Sequence, residues 1–183
     1  LQYTGGTTGF PKGVMLTHKN LVANSKMCHA WLSKTKDGEE VVLGMLPFFH
    51  VYGMTTVLIL SIMTRNKMVL IPKFDVDLAL KTIDKQKPTL FPGAPTMYIG
   101  LLNHPDLQKY DLSSIKACLS GSAPLPVEIQ EKFEDYATKK YNKSIGLDAR
   151  VIEDGGLKES FKSGKIEKSL KFVYNIYNFC DII

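Results

Sequence analysis

Cysteine is scarce in this chain: there are three in 183 residues, Cys28, Cys118 and Cys180, odd in number and with no CxxC pair. That argues against a disulfide framework and a cysteine-based zinc site, and scattered reduced thiols suit a cytoplasmic protein. Long apolar runs are missing too. The longest, residues 54–63, is about half of what a bilayer requires, so no membrane span is expected and contact with a membrane is confined to peripheral association. Neither sign of charge dominates, with 23 Lys and Arg against 18 Asp and Glu for a net +5. The split is 14 basic to 11 acidic through Glu134 and 9 to 7 after it, with no block of like charge, so no nucleic-acid partner is expected. An initiator methionine and a signal peptide are absent as well: the chain starts at Leu1 in residues that are already motif-like, and it reads as a piece of a longer protein.

What is present is globular. Hydrophobic residues make up 44% and charged residues 22%, which fits a packed core and neither disorder nor a coiled coil. Short apolar runs alternate with longer amphipathic stretches. Strands are expected at 14–16, 41–46, 67–71 (read as buried), 89–91 and 115–119. Helices are expected at 19–32 behind a Thr17-His18 cap, 52–64, 75–85 with apolar Val76, Leu78, Leu80 and Ile83, and 127–141. The alternation predicts an α/β fold with a mostly parallel sheet and flanking helices. After about Glu134 the character shifts. Residues 136–183 are rich in Lys, Ser, Asn, Tyr and Ile with poor periodicity, and residues 152–164 suit a loop, so the chain divides into a body, 1–134, and a divergent tail, 135–183.

The most informative segment is residues 3–13, Tyr-Thr-Gly-Gly-Thr-Thr-Gly-Phe-Pro-Lys-Gly. Its glycines permit positive φ and let backbone N–H groups approach an anion. Thr4, Thr7 and Thr8 add hydroxyl donors and Lys12 a cation, which are the groups a polyphosphate needs. It is not a Walker A loop, because Pro11 precedes the lysine and Gly13 follows it. A flexible linker is the bland alternative; the embedded Pro-Lys-Gly and the flanking strand signals speak against it.

Residues 3–18, YTGGTTGFPKGVMLTH, resemble the signature of the acyl-adenylate-forming superfamily, which includes acyl-CoA synthetases, luciferases and peptide-synthetase adenylation domains. Gly5 stands where the family usually has Ser. The resemblance implies that Thr4, Gly5, Gly6, Thr7, Thr8, Gly9 and Lys12 hold the ATP phosphates, with Lys12 also catalytic. Residues 45–53, MLPFFHVYG, are similar to the family's second motif in its acyl-CoA synthetase form. On its own a histidine among aromatics is more often a core residue. In this company the resemblance implies a catalytic and substrate-binding His50 and a substrate-binding Tyr52, lining an acyl pocket; the apolar residues 54–62 suit a wall for an alkyl chain or, equally well, a plain buried helix.

Residues 91–96, FPGAPT, resemble the variable segment before the pocket floor, although a simple turn explains them equally well. Residues 119–126, LSGSAPLP, match better, and imply that Gly121, Ser122, Ala123 and Pro124 pass beside adenine. Cys118 has no His or Asp context and reads as a small core residue. The closest phrases are those of bacterial long-chain fatty acid–CoA ligases.

The implied fold is a partial N-terminal (large) domain of the adenylate-forming enzymes. The implied chemistry is activation of a carboxylate, a fatty acid by resemblance, with ATP and Mg²⁺ to an acyl-AMP, then transfer to coenzyme A. No metal ligand is assigned, because the Tyr-Gly-x-Thr-Glu segment whose Glu holds Mg²⁺ in the family finds no counterpart after residue 134. The fragment alone is expected to be inactive, with strand edges and apolar faces left uncovered, and no specific protein partner is readable. Two other readings stay open: a non-catalytic nucleotide-binding or interaction module, and an aryl-CoA ligase fragment.

Overall fold

The structure, a computed structural model, describes residues 1–3, 12–32, 35–141 and 146–148. The chain forms two compact units, Leu1–Lys34 with Ile152–Ile183, and Thr35–Val151. In the first, a short antiparallel ribbon pairs β1 (Gln2–Tyr3) with β2 (Gly13–Val14), and α1 (His18–Trp31) follows. Its start obeys local chemistry. Thr17 Oγ1 accepts the N–H of Asn20 at 3.1 Å while Asn20 Oδ1 accepts the N–H of Thr17 at 3.0 Å, a reciprocal cap that satisfies two otherwise orphaned donors. Asn24, Ser25 and Cys28 make the buried stripe of α1.

The second unit holds a sheet parallel throughout, in the order β4-β3-β5-β6-β7. Its strands are β3 (Val41–Gly44), β4 (Lys67–Leu70), β5 (Leu90–Gly93), β6 (Ala117–Ser120) and β7 (Gly146–Asp148). Between β3 and β4 the chain runs through α2 (Val51–Gly53), a π-helical stretch Met54–Ile59 and α3 (Leu60–Met63). α4 (Val76–Gln86) links β4 to β5, α5 (Pro95–Leu102) and a 3₁₀ turn Leu107–Lys109 link β5 to β6, and α6 (Val127–Tyr141) precedes β7. Leu80, Ile83, Phe91, Tyr98, Leu101, Leu112, Ile115 and Phe133 form the buried centre. The Tyr98 ring is tilted on Phe91 at 4.9 Å and edge-on to Phe133 at 5.8 Å. Each such side chain taken from water is worth roughly 1.5–3 kcal/mol.

Three features differ from the sequence expectation. β4 is not buried: it is the outer strand of the order, with Lys67 and Leu70 exposed and Met68 and Val69 partly buried. The helix expected at 52–64 exists but widens to π geometry over Met54–Ile59, where the Leu60 N–H reaches the Thr55 carbonyl. Residues 91–96 are not merely a turn: Pro95 opens α5, and the preceding Ala94 offers no side-chain cap to announce it.

α6 runs unbroken across Glu134 to Tyr141, and β7 adds a strand to the same sheet beyond it. Its last turn is fastened by Lys140, whose Nζ donates to the carbonyls of Gln108 and Tyr110 at 2.8 and 2.7 Å and lies over the Tyr136 and Tyr141 rings. Phe49, Ile62, Leu70 and Val127 are large apolar side chains that are largely exposed.

Candidate active site

The strand order fixes where a ligand would lie. From β3 the chain steps to one side, to β4, and then crosses β3 to build β5, β6 and β7 on the other. Adjacent connections therefore leave in opposite directions between β3 and β5. In open parallel sheets the ligand crevice sits outside the carboxyl ends of the strands at such a switch point. The ladder opens there too. β3 and β5 share one bridge, Val42 opposite Leu90, whereas β5 and β6 pair over four positions, Leu90 through Gly93. Pro92, which has no N–H to give a ladder, lies just beyond that single bridge. At the amino end a clamp ties the start of β3 to the start of β6, across β5. Lys116 Nζ donates to both carboxylate oxygens of the buried Glu40 at 2.9 and 3.0 Å, and the Lys36 N–H adds a third contact at 3.2 Å. Burial alone would raise the Glu40 carboxyl, but the hydrogen bonds from Thr89, Lys116 and Lys36 outweigh it and hold the group below its ordinary value.

Three carboxyl-end loops meet at the crevice: the one after β3 carrying His50 and Tyr52, the Gly93-Ala94-Pro95 corner after β5, and residues 121–124 after β6. His50 is exposed and caps α2, its Nδ1 accepting the Tyr52 N–H at 3.2 Å. With Nδ1 an acceptor, the neutral ring carries its proton on Nε2, which is left to donate outward. Tyr52 reaches back across the crevice, its hydroxyl donating to the Leu119 carbonyl at 2.7 Å. Its ring lies against Gly121, where a Cβ would come within 2.8 Å of Tyr52 Cζ. The sequence reading assigned the smallness of Gly121 to an approaching adenine; the ring against it here is that of Tyr52. Ser122, Ala123 and Pro124 are exposed, and Ser122 takes φ 70°, a left-handed conformation that collects in turns and ligand loops.

His50, Tyr52 and Gly121 are thus brought together. Lys12 is exposed just before β2, in the other unit. Thr4, Gly5, Gly6, Thr7, Thr8 and Gly9 lie outside the described residues. So does the tail, apart from residues 135–141 and β7. Cys118 is a fully buried core residue whose thiol burial pushes well above its usual range, which leaves no thiolate for nucleophilic work. Among the described residues, no cluster of three or more His, Cys, Asp or Glu is placed to hold a metal, and no helix is long and apolar enough to cross a membrane.

The sequence reading missed Tyr98. Its hydroxyl lies 2.8 Å from the Phe91 carbonyl and 2.7 Å from the Leu119 carbonyl, and Gly93 makes room for its tip, since a Cβ there would stand 3.1 Å from Tyr98 Oη. The available signal was the Gly93-Ala94-Pro95 corner followed within one helical turn by a tyrosine.

A profile of the AMP-binding enzyme family matches residues 1–146. The chain belongs to that family. It is 64% identical over 147 residues to a long-chain-fatty-acid–CoA ligase of Bacillus subtilis (strain 168), covering 80% of this chain and 26% of that protein. It is 33% identical to 4-coumarate–CoA ligase 4 of Arabidopsis thaliana, over 96% of this chain and 29% of the relative. Among solved structures it resembles ATP-bound MatB from Rhodopseudomonas palustris, with a TM-score of 0.66 and 32% identity over 78% of this chain and 27% of that one. The chain therefore spans about a quarter of the length of the AMP-binding relatives it matches, and the family match continues past Glu134.

Proposed function

We propose that this chain is part of a fatty acid–CoA ligase that activates a carboxylate with ATP to an acyl-AMP and passes the acyl group to coenzyme A. The observation that carries the reading is the exposed His50 imidazole, held by the Tyr52 amide at the switch point of an AMP-binding-family sheet. Its Nε2–H is a fixed donor for a carboxylate or acyl-phosphate oxygen, and a preorganised donor of this kind can stabilise charge that develops in transfer. Ser122, Ala123 and Pro124 offer exposed backbone for the adenine, next to the Tyr52 ring that covers Gly121. Thr4, Gly5, Gly6, Thr7, Thr8, Gly9 and Lys12 are assigned to the ATP phosphates on their residue chemistry. Mg²⁺ would travel with those phosphates; the described residues provide no carboxylate cluster for it.

The fatty-acid assignment rests on the 64% identity to a long-chain ligase. The match to a 4-coumarate ligase over almost the whole chain keeps an aryl carboxylate as the second reading. In this proposal the ligase body runs through β7 at Asp148 and the tail begins there. The two buried free thiols, Cys28 and Cys118, fit a reducing, cytoplasmic setting.

Two assays test the proposal. Residues 1–146 of this chain, exchanged for the matching segment of the Bacillus relative, should support ATP–pyrophosphate exchange that depends on a long-chain fatty acid. Exchange driven better by cinnamic-type acids would move the assignment to the aryl branch, and a chimera that folds and binds AMP without exchange would refute the ligase reading. The 183 residues alone should give no exchange above background.

A further inference from the structure

His104 stands between α5 and the 3₁₀ turn Leu107–Lys109, and both nitrogens of its ring are engaged. Nδ1 accepts the Asp106 N–H at 3.1 Å. The ring in this state therefore carries its proton on Nε2, which lies 3.2 Å from Asp77 Oδ1 in the first turn of α4. Acceptance at Nδ1 needs the lone pair on that nitrogen, so the contact with Asp106 exists only while the ring is neutral. The imidazole keeps 13% of its surface in solvent beside an Asp77 that is 63% exposed, which leaves a proton a path to it.

The groups around the ring pull in opposite directions. Asp77, on α4, favours a charged imidazole, whereas the Asp106 N–H favours a neutral one. The Asp106 carboxylate is occupied by Lys109 Nζ at 2.8 Å, whose hydrogen bond holds it below the ordinary range, and the Tyr110 ring meets the imidazole edge-on at 6.3 Å. The backbone that begins at Asp106 is also where α6 is fastened. The Leu107 carbonyl accepts the Tyr136 hydroxyl at 3.3 Å, the Gln108 carbonyl accepts Lys140 Nζ at 2.8 Å, and the Tyr110 carbonyl accepts Lys140 Nζ at 2.7 Å and the Tyr141 hydroxyl at 3.2 Å.

We propose that His104 is a proton-operated latch on the attachment of α6. Neutral, it holds the Asp106 amide and closes the 3₁₀ turn. When the ring takes a second proton from water, its Nδ1–H and the Asp106 N–H become two donors face to face. The amide then turns away, and the charged ring stays with the Asp77 carboxylate. Residues 107–110 loosen, and the last turn of α6 loosens with them. Histidine is the side chain suited to such a change near neutral pH. The latch does not depend on the ligase reading.

The test is amide hydrogen exchange on the full 183-residue chain at pH 8 and pH 5, each rate divided by its intrinsic rate at that pH, for the original sequence and for His104→Asn. Asparagine can offer Oδ1 to the Asp106 N–H and does not titrate. In the original chain, protection at Asp106 should fall about fivefold between pH 8 and pH 5, the loss expected of one hydrogen bond, and residues 139–141 should lose protection with it. Phe91 in the central strand β5 should stay constant, which separates release of the latch from general loosening. His104→Asn should keep the same protection at both pH values.

Protection at Asp106 that does not change with pH, an equal fall in His104→Asn, a fall that leaves residues 139–141 untouched, or Phe91 changing in step would each overturn the proposal. If His104→Asn does not fold, the ¹⁵N shifts of the His104 ring in the original chain decide. Nδ1 should gain its proton over the same pH interval in which Asp106 loses protection, and protection lost while Nδ1 is still unprotonated would overturn the latch.

Discussion

Replacing Glu40 by glutamine tests the clamp that closes the amino end of the sheet. The side chain is fully buried and accepts both contacts from Lys116 Nζ, which is itself about half exposed at 46%. Glutamine keeps the shape and an oxygen for the Lys36 N–H, but loses the charge and faces Lys116 with an amide. A hydrogen bond to a charged group is worth about 1.5–3 kcal/mol, and a lysine that can swing back to water recovers part of that, so a loss of about 1–2 kcal/mol at pH 7 is expected. The dependence on pH identifies the cause. The folded-state carboxyl lies below its ordinary 4.5, so its stabilising contribution is complete above that value and fades as pH falls through the folded pKa. Urea unfolding of the original and the Glu40→Gln chain at pH 7, 5 and 3.5 should therefore give a difference that is constant at the first two and shrinks at the third. Taking the difference removes the other depressed carboxylates, Asp84, Asp106 and Asp111, which are common to both proteins. A difference that stays the same at pH 3.5, or is absent at pH 7, would refute the clamp.

Other outcomes follow from single contacts. Gly53→Ala should destabilise by about 3 kcal/mol or more, because its Cβ would stand 2.5 Å from the rigid Pro47 carbonyl; Gly121→Ala should cost only about 1 kcal/mol, since the obstacle is the tip of the Tyr52 ring, and chemical unfolding should rank them in that order. With Cys180 changed to serine, a thiol reagent at pH 8 should label neither remaining cysteine until denaturant is added, because burial pushes the Cys28 thiol up to about 12 and Cys118 higher still. In the chimeric ligase, His50→Ala should lower fatty-acid-dependent exchange on the order of a hundredfold while leaving AMP affinity within about threefold, and equal losses in both would deny His50 a role on the acyl side.

The sequence was most legible where local chemistry decides structure. Thr17 and Asp75 each cap a helix through their own side chains, and both starts were readable to within a residue. α5 was missed because nothing before Pro95 caps it; its helix is held by Met97, Tyr98 and Leu101 sinking into the core, a tertiary cause with no local signature. β4 was placed correctly, but its burial was misread for the opposite reason. Lys67 to Leu70 has the apolar content of a buried strand, but only the order of strands in the sheet says that nothing pairs on its outer side among the described residues.

The candidate site divides along the same line. His50 and Tyr52 stand in a contiguous motif whose family resemblance marked them as candidates, whereas the group that holds Tyr52 beside Gly121 is a backbone oxygen on Leu119, which no pattern of side chains can announce. Sequence reading gave the smallness of Gly121 to an approaching adenine, whereas the ring that stands against it in the structure is that of Tyr52. The structure supplies the missing step. β3 and β5 are bonded at their amino ends through Val42 and Leu90, and Glu40 and Lys116 tie the starts of β3 and β6 across β5, while Pro92 leaves the carboxyl ends of β3 and β5 without a full ladder. A sheet closed at one end and open at the other presents its crevice only where the His50 and Gly121 loops emerge, and side chains at that mouth must span the gap that the backbone does not. Tyr52 does so, reaching from the loop after β3 to the Leu119 carbonyl of β6.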